Sequence, residues 1–283
     1  METLNETGIW DSAGPVRFDD TETFLFRSAD LDVPLDISVA RPTGPGGRDG
    51  PLPVLYVLDP FLWLPLVVHV SRALTWFTGF PPTLVVGIGH PTTDHIDYFA
   101  LRARDFSPVE GELPPSISPI PLHRGTGHAD RFLDVLAARV FPGIEERYGA
   151  DPSDRTILGW SFSGLFGLHA LFTQPELFDR YLIVSPSLPW GGYALFDTER
   201  RYAQTHSDLP KDLFLVAGTH EDSVEAARDG WIMVPLVQRL FDTLTRRGYP
   251  SLRPDTLWVE GMEHTTAGWS GVAPGLRFLF DRH

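Results

Sequence analysis

Gly159-Trp160-Ser161-Phe162-Ser163-Gly164 stands between a short apolar run, Thr156-Ile157-Leu158, and a segment from Gly164 to Thr173 with helical spacing. A buried strand, a sharp turn and a helix in that order lift one hydroxyl above the carboxyl edge of a sheet. Small residues two before and two after the serine let neighbouring backbone approach the turn. The helix N-terminus beneath Ser161 favours negative charge developing there. The segment departs from G-x-S-x-G, because Ser163 occupies the last glycine position. Serine is small and Gly164 follows at once, which keeps the turn sterically open. The bland reading is a Ser/Gly-rich turn without chemistry. The strand–turn–helix context favours a nucleophile.

A serine hydroxyl becomes nucleophilic only when a base takes its proton. In α/β-hydrolases the partners follow in the chain order Ser, Asp/Glu, His. Past Ser161 the histidines are His169, His206, His220, His264 and His283. His169 falls inside the helix after the turn, His206 in a polar stretch and His283 at the chain end. His264 lies in a loop after the strand Thr256 to Val259 and before the last helix, where this topology needs a base. For the acid, the strand Leu213 to Ala217 runs into Gly218-Thr219-His220-Glu221-Asp222. A carboxylate there can hold the imidazole in one tautomer. Glu221, three past the glycine, is the expected acid, with Asp222 as the alternative. An oxyanion hole needs two backbone N–H groups. Phe162 follows the nucleophile and supplies one. Pro60 has no N–H, so Phe61 is the natural second donor.

The outer segments agree with this frame. Thr21 to Arg27 and Leu35 to Arg41 read as strands that precede any helix, hence an antiparallel edge. Pro53 to Leu58, Thr83 to Ile88 and Tyr181 to Val184 are apolar runs suited to buried parallel strands. Helices are predicted over Phe61 to Phe77, His128 to Tyr148, Ile232 to Arg247 and Val272 to Arg282. Strands alternating with helices predict an α/β fold, with a mainly parallel sheet covered on both faces. Residues 89 to 126 read as a long irregular, lid-like insertion. No linker divides the 283 residues, so one domain is expected.

Charged residues number 23 basic against 37 acidic, a net charge of -14. Without a basic cluster the chain does not read as a nucleic-acid binder. The absence of cysteine excludes disulfides, a thiol nucleophile and thiolate metal sites. No cofactor or metal is expected, since no H-E-x-x-H or comparable ligand spacing appears. The N-terminus, Met1 to Thr7, shows no signal-like pattern. The apolar stretch Pro60 to Leu74 is short for a membrane span. A soluble cytoplasmic enzyme acting on a small molecule is the expectation.

Several stretches resemble the esterase family that includes the siderophore (enterobactin-type) trilactone esterases and the wider esterase-D-like group. They are residues 54–59, 102–108, 130–135, 145–148, 154–166, 175–181 and 185–190, and the resemblance covers roughly residues 50 to 282. It implies Ser161 as nucleophile, His264 as base and Glu221 as acid, with the Arg104-Asp105 segment shaping the site. A structural ion pair is the alternative for Arg104 and Asp105. Three residues depart from the family pattern: Pro60 for glycine, Trp160 for histidine and Ser163 for glycine. They alter the pocket wall, so the siderophore substrate does not carry over. Trp160, Trp190, Phe61, Phe162 and Trp63 lie in or beside the site segments, where aromatic walls would favour an apolar group. For Trp63 an ordinary core position is at least as natural. The expected activity is hydrolysis of a carboxylic ester or lactone through an acyl-enzyme. An acyltransferase or cyclising enzyme could use the same triad. A non-catalytic binding module fits less well, because Ser161, Glu221 and His264 stand in the catalytic order.

Overall fold

The computed structural model describes residues 19–44, 50–114, 116–118 and 121–281. The N-terminal stretch, the centre of the Gly44 to Gly50 loop and His283 lie outside them. Among the described residues eight strands occur in chain order: β1 Thr21–Phe26, β2 Leu35–Ala40, β3 Leu52–Leu58, β4 Leu84–Gly89, β5 Ala150–Trp160, β6 Arg180–Val184, β7 Asp212–Gly218 and β8 Arg253–Val259. They form one sheet in the order β1-β2-β4-β3-β5-β6-β7-β8. β1 pairs antiparallel with β2, and β2 antiparallel with β4. Every pairing from β4 through β3 to β8 is parallel. The fold is that of an α/β-hydrolase, with the antiparallel edge where the sequence places it.

The central strands are apolar on both faces because both faces are covered. Val54, Tyr56, Ile157, Tyr181, Ile183 and Leu215 point into a core shared with helices α3 Ala129–Val135, α4 Phe141–Tyr148 and α5 Phe162–Thr173. Leu55, Val57, Leu158, Leu182 and Val216 point the other way. There they meet α1 Pro60–Thr78 through Trp63, Val67 and Val68, and the C-terminal helix Ala267–Phe280 through Val272 and Leu276. Trp63 is fully buried, so it is a core residue. α1 has 19 residues, longer than the apolar run alone suggests, and by length and composition it could cross a membrane. Its inner face packs on the sheet.

The insertion after β4 is not irregular throughout. His95–Phe106 forms a helix, α2, capped by Asp94, whose carboxylate accepts from the N–H groups of Ile96 and Asp97. Its polar residues point inward, which hides it from any search for hydrophobic periodicity. Arg102, Arg104 and Asp105 are all buried. Of the two readings of Arg104, the structural ion pair is the one the geometry supports, and substrate contact by Arg104 is not. Its guanidinium donates to Asp105 through Nε and Nη2 and to Asp32 through Nη1, and Asp105 also pairs with His90 Nε2 at 2.8 Å. Burial alone would raise the Asp105 pKa, but hydrogen bonds from His90 and Arg104 hold it below the usual carboxylate range. The cluster ties α2 to the end of β4.

Arg104→Ala should therefore lower stability by about 3 kcal/mol, the low end for unpairing a buried ion pair, since His90 still serves Asp105. Thermal unfolding should show the loss, while relative rates across an ester panel stay unchanged. Altered substrate ranking without a lower midpoint would restore Arg104 to the pocket.

Candidate active site

Three neighbouring strands end in non-glycine residues with positive φ. Asp59 follows β3 (φ 53°), Ser161 follows β5 (φ 58°) and Ser185 follows β6 (φ 44°). Such backbone costs on the order of 1–3 kcal/mol per residue and persists only where its surroundings enforce it. At Ser161 the enforcement is visible. Its N–H donates to Val184 O, its carbonyl accepts from the N–H groups of Leu165 and Ser187, and α5 starts at the next residue. A Cβ on Gly159 would lie 2.2 Å from Ser163 O, so only glycine allows the turn to close.

Ser163 has a structural use that glycine could not serve. Its hydroxyl accepts from the Trp160 N–H at 2.8 Å and donates to Asp59 Oδ2 at 2.6 Å. Asp59 is fully buried and also accepts from Arg102 Nε at 2.8 Å, Arg102 Nη2 at 2.7 Å and the Tyr98 hydroxyl at 3.2 Å. Burial would lower the Arg102 pKa, but Asp59 more than restores it, and the group stays a cation. Its guanidinium lies 5.3 Å from the Trp160 ring centroid, 5.6 Å from Phe162 and 5.8 Å from Phe99.

On the other side, Glu221 is fully enclosed, and its Oε2 is 2.9 Å from His264 Nδ1. Glu221 Oε1 accepts from the Ser185 hydroxyl at 2.6 Å and from the Gly218 N–H. A carboxylate held at both oxygens fixes the imidazole, leaving Nε2 as the proton-accepting atom in the neutral ring. The Trp160 indole N–H donates to His264 O at 2.9 Å, and the two rings lie 5.0 Å apart. Trp160 thus holds the histidine loop as well as the elbow. Asp222 is engaged elsewhere, accepting from the Met233 and Val234 N–H groups at the start of a helix.

Ser161, Glu221 and His264 share a cavity of about 270 Å³ with Phe99, Arg102, Leu113, Trp160, Phe162, Ser187, Trp231 and Met233. The insertion does wall this cavity, but through Phe99, Arg102, Leu113, Ser116, Ile117 and Ser118 rather than Arg104. Two other expected contacts are corrected. Trp190 is buried behind the wall, its ring 4.9 Å from Phe162 and its indole N–H donated to Val109 O. The Phe61 ring faces a separate cavity with Pro60, His90 and Tyr98. Its amide belongs to the first turn of α1, where helix N–H groups lack intrahelical acceptors. Sequence reasoning missed Ser185, Ser187 and the Asp59–Arg102 pair. Their signal lay in the stretches 185–190 and 102–108, which resemble the family in sequence.

The family model for Esterase matches residues 28–235. The chain is 31% identical over 203 residues to the siderophore triacetylfusarinine C esterase of Aspergillus fumigatus, a match covering 69% of this chain and 65% of that protein. It is 30% identical over 267 residues to the ferri-bacillibactin esterase BesA of Bacillus subtilis, covering 91% and 89%. The crystal structure of the BES protein of Bacillus cereus superposes with a TM-score of 0.81 at 25% identity, covering 96% of this chain and all of that one.

Gly159→Ala should cost about 3 kcal/mol, the upper end for overpacking, because the obstacle is backbone that cannot yield. Poor soluble yield or a sharply lower melting midpoint is the expected result. A wild-type midpoint would show that the elbow is looser than described. With elbow, fold and relatives in agreement, the chain belongs to the esterase family and carries its α/β-hydrolase fold.

Proposed function

We propose that this chain hydrolyses a carboxylic ester or lactone through an acyl-enzyme on Ser161. The observation that carries the reading is the Glu221–His264 pair, 2.9 Å apart, on the same cavity as the strained Ser161. Ser161 Oγ attacks the ester carbonyl and its proton passes to His264 Nε2. Glu221 keeps the proton on Nδ1 and stabilises the imidazolium. The N–H groups of Phe162 and Phe61 are the proposed oxyanion donors. The first tetrahedral intermediate expels the alcohol, which takes the proton from His264. Water then attacks the acyl-enzyme by the same relay and releases the acid.

The cavity is lined by Phe99, Leu113, Ile117, Trp160, Phe162 and Trp231, with one cation, Arg102, at its wall. An apolar or aromatic acyl group bearing a polar substituent fits that lining. The two curated relatives are named for siderophores, which makes siderophore esters natural members of a test panel.

Activated esters, simple lactones, triacetylfusarinine C and ferri-bacillibactin should be assayed with wild type and Ser161→Ala in parallel. Hydrolysis of at least one, abolished in the variant, is expected. Turnover that survives Ser161→Ala would remove the reading. Glu221→Gln should cost on the order of 10⁴ in kcat, as loss of the orienting acid does in comparable triads. Asp222→Asn should cost less than about tenfold, since Asp222 serves two amides outside the relay. The opposite ranking in steady-state kinetics would make Asp222 the acid.

A further inference from the structure

Ser187 is a second hydroxyl at the reacting atom. Its Oγ lies 3.1 Å from Ser161 Oγ, within reach of an O–H···O bond in either direction. The residue is 2% exposed and lines the same cavity. Its backbone is pinned at both ends, with its N–H donating to Ser161 O at 3.0 Å and its carbonyl accepting from the Trp190 N–H at 3.1 Å. Ser185, two residues earlier, holds Glu221, so one short turn after β6 serves both the acid and the nucleophile. With its backbone set by these bonds, Ser187 can turn its O–H toward Ser161 Oγ.

We infer that Ser187 is a catalytic residue that speeds deacylation by donating its O–H to Ser161 Oγ as that oxygen leaves the acyl group. This rests on the acyl-enzyme reading above. In the resting enzyme Ser161 Oγ is a free hydroxyl and already a good acceptor. The Ser187 bond is therefore present before acylation begins and gains little in that transition state. In the acyl-enzyme the same oxygen is the bridging atom of an ester, a poor acceptor. Water adds to the acyl carbon, giving its proton to His264 Nε2. When this second tetrahedral intermediate collapses, the C–Oγ bond breaks and its electron pair goes to Oγ. The imidazolium returns the proton to that oxygen, and the acid product departs. Acylation starts from a hydroxyl that already accepts the bond, whereas here Oγ starts as a poor ester acceptor and gains charge as the bond breaks, so the Ser187 donor strengthens chiefly in this step. An interaction stronger in the transition state than in the state before it accelerates that step alone.

The test is pre-steady-state hydrolysis of p-nitrophenyl butyrate. The burst of p-nitrophenolate reports acylation, the later linear phase reports deacylation, and acid quench with intact-mass spectrometry reports the butyryl adduct. In Ser187→Ala, deacylation should slow on the order of tenfold to a hundredfold, the range for losing a hydrogen bond to a developing charge. Acylation should change less than about threefold, because its bond is already formed in the ground state. The butyryl-enzyme should accumulate at Ser161. Ser187→Thr, which keeps the hydroxyl, should restore deacylation, and Ser187→Cys, a weaker donor, should fall between. The cysteine variant carries the test if the alanine variant does not fold, and a wild-type deacylation rate in it overturns the proposal. Equal slowing of both steps, or unchanged deacylation in Ser187→Ala, also overturns it. Absence of any butyryl mass on Ser161 in wild type and variant alike overturns the acyl-enzyme reading, and Ser187's part with it.

Discussion

The buried carboxylate of Asp59 is the constraint on which the site depends. It sits at the end of β3 in left-handed backbone and receives two bonds from Arg102, one from Tyr98 and one from Ser163. The four bonds tie Asp59 to two other parts of the chain. Tyr98 and Arg102 bring in the helix after β4, and Ser163 brings in the first turn of α5. Removing either partner would strand the other charge in a dry environment, which is what makes such a pair rigid. The elbow is thus braced from the side opposite His264, and the Arg102 guanidinium is set among Phe99, Trp160 and Phe162 without freedom to wander.

The second brace is on the histidine side. His264 is gripped through its ring by Glu221 and through its carbonyl by Trp160. Glu221 is itself held by Ser185 and Gly218. A Cβ on Gly218 would meet Met262 O at 2.1 Å, so the end of β7 and the histidine loop approach as closely as backbone permits. Trp160 touches both halves of the site. Its ring is tilted 40° to that of His264 and lies under Arg102. Strain at Ser161 is maintained because neither side of the turn can relax.

The strands were legible in the sequence, the central ones because apolar runs bounded by Gly and Pro report burial on two faces. The nucleophile, base and acid were legible because topology fixes which strand ends can hold them. The helix His95–Phe106 was not, since its inward face carries Arg102, Arg104 and Asp105 in place of aliphatic residues. The helix Trp190–Thr205 was hidden for another reason. Gly191, Gly192 and Tyr193 adopt positive φ and break its first turn. Pairwise contacts across long separations, such as Asp59 with Arg102 or Ser161 with Ser187, leave no periodic trace. Arg102 and Arg104 differ by two positions on one helix, and only packing decides which of them faces the cavity.

The claim that Ser161 is an activated nucleophile at the junction of these two braces is tested most directly by fluorophosphonate labelling. Intact-mass spectrometry followed by peptide mapping should find one adduct, on Ser161, with no adduct in Ser161→Ala. Labelling of a different serine, or none on folded protein, would contradict the account.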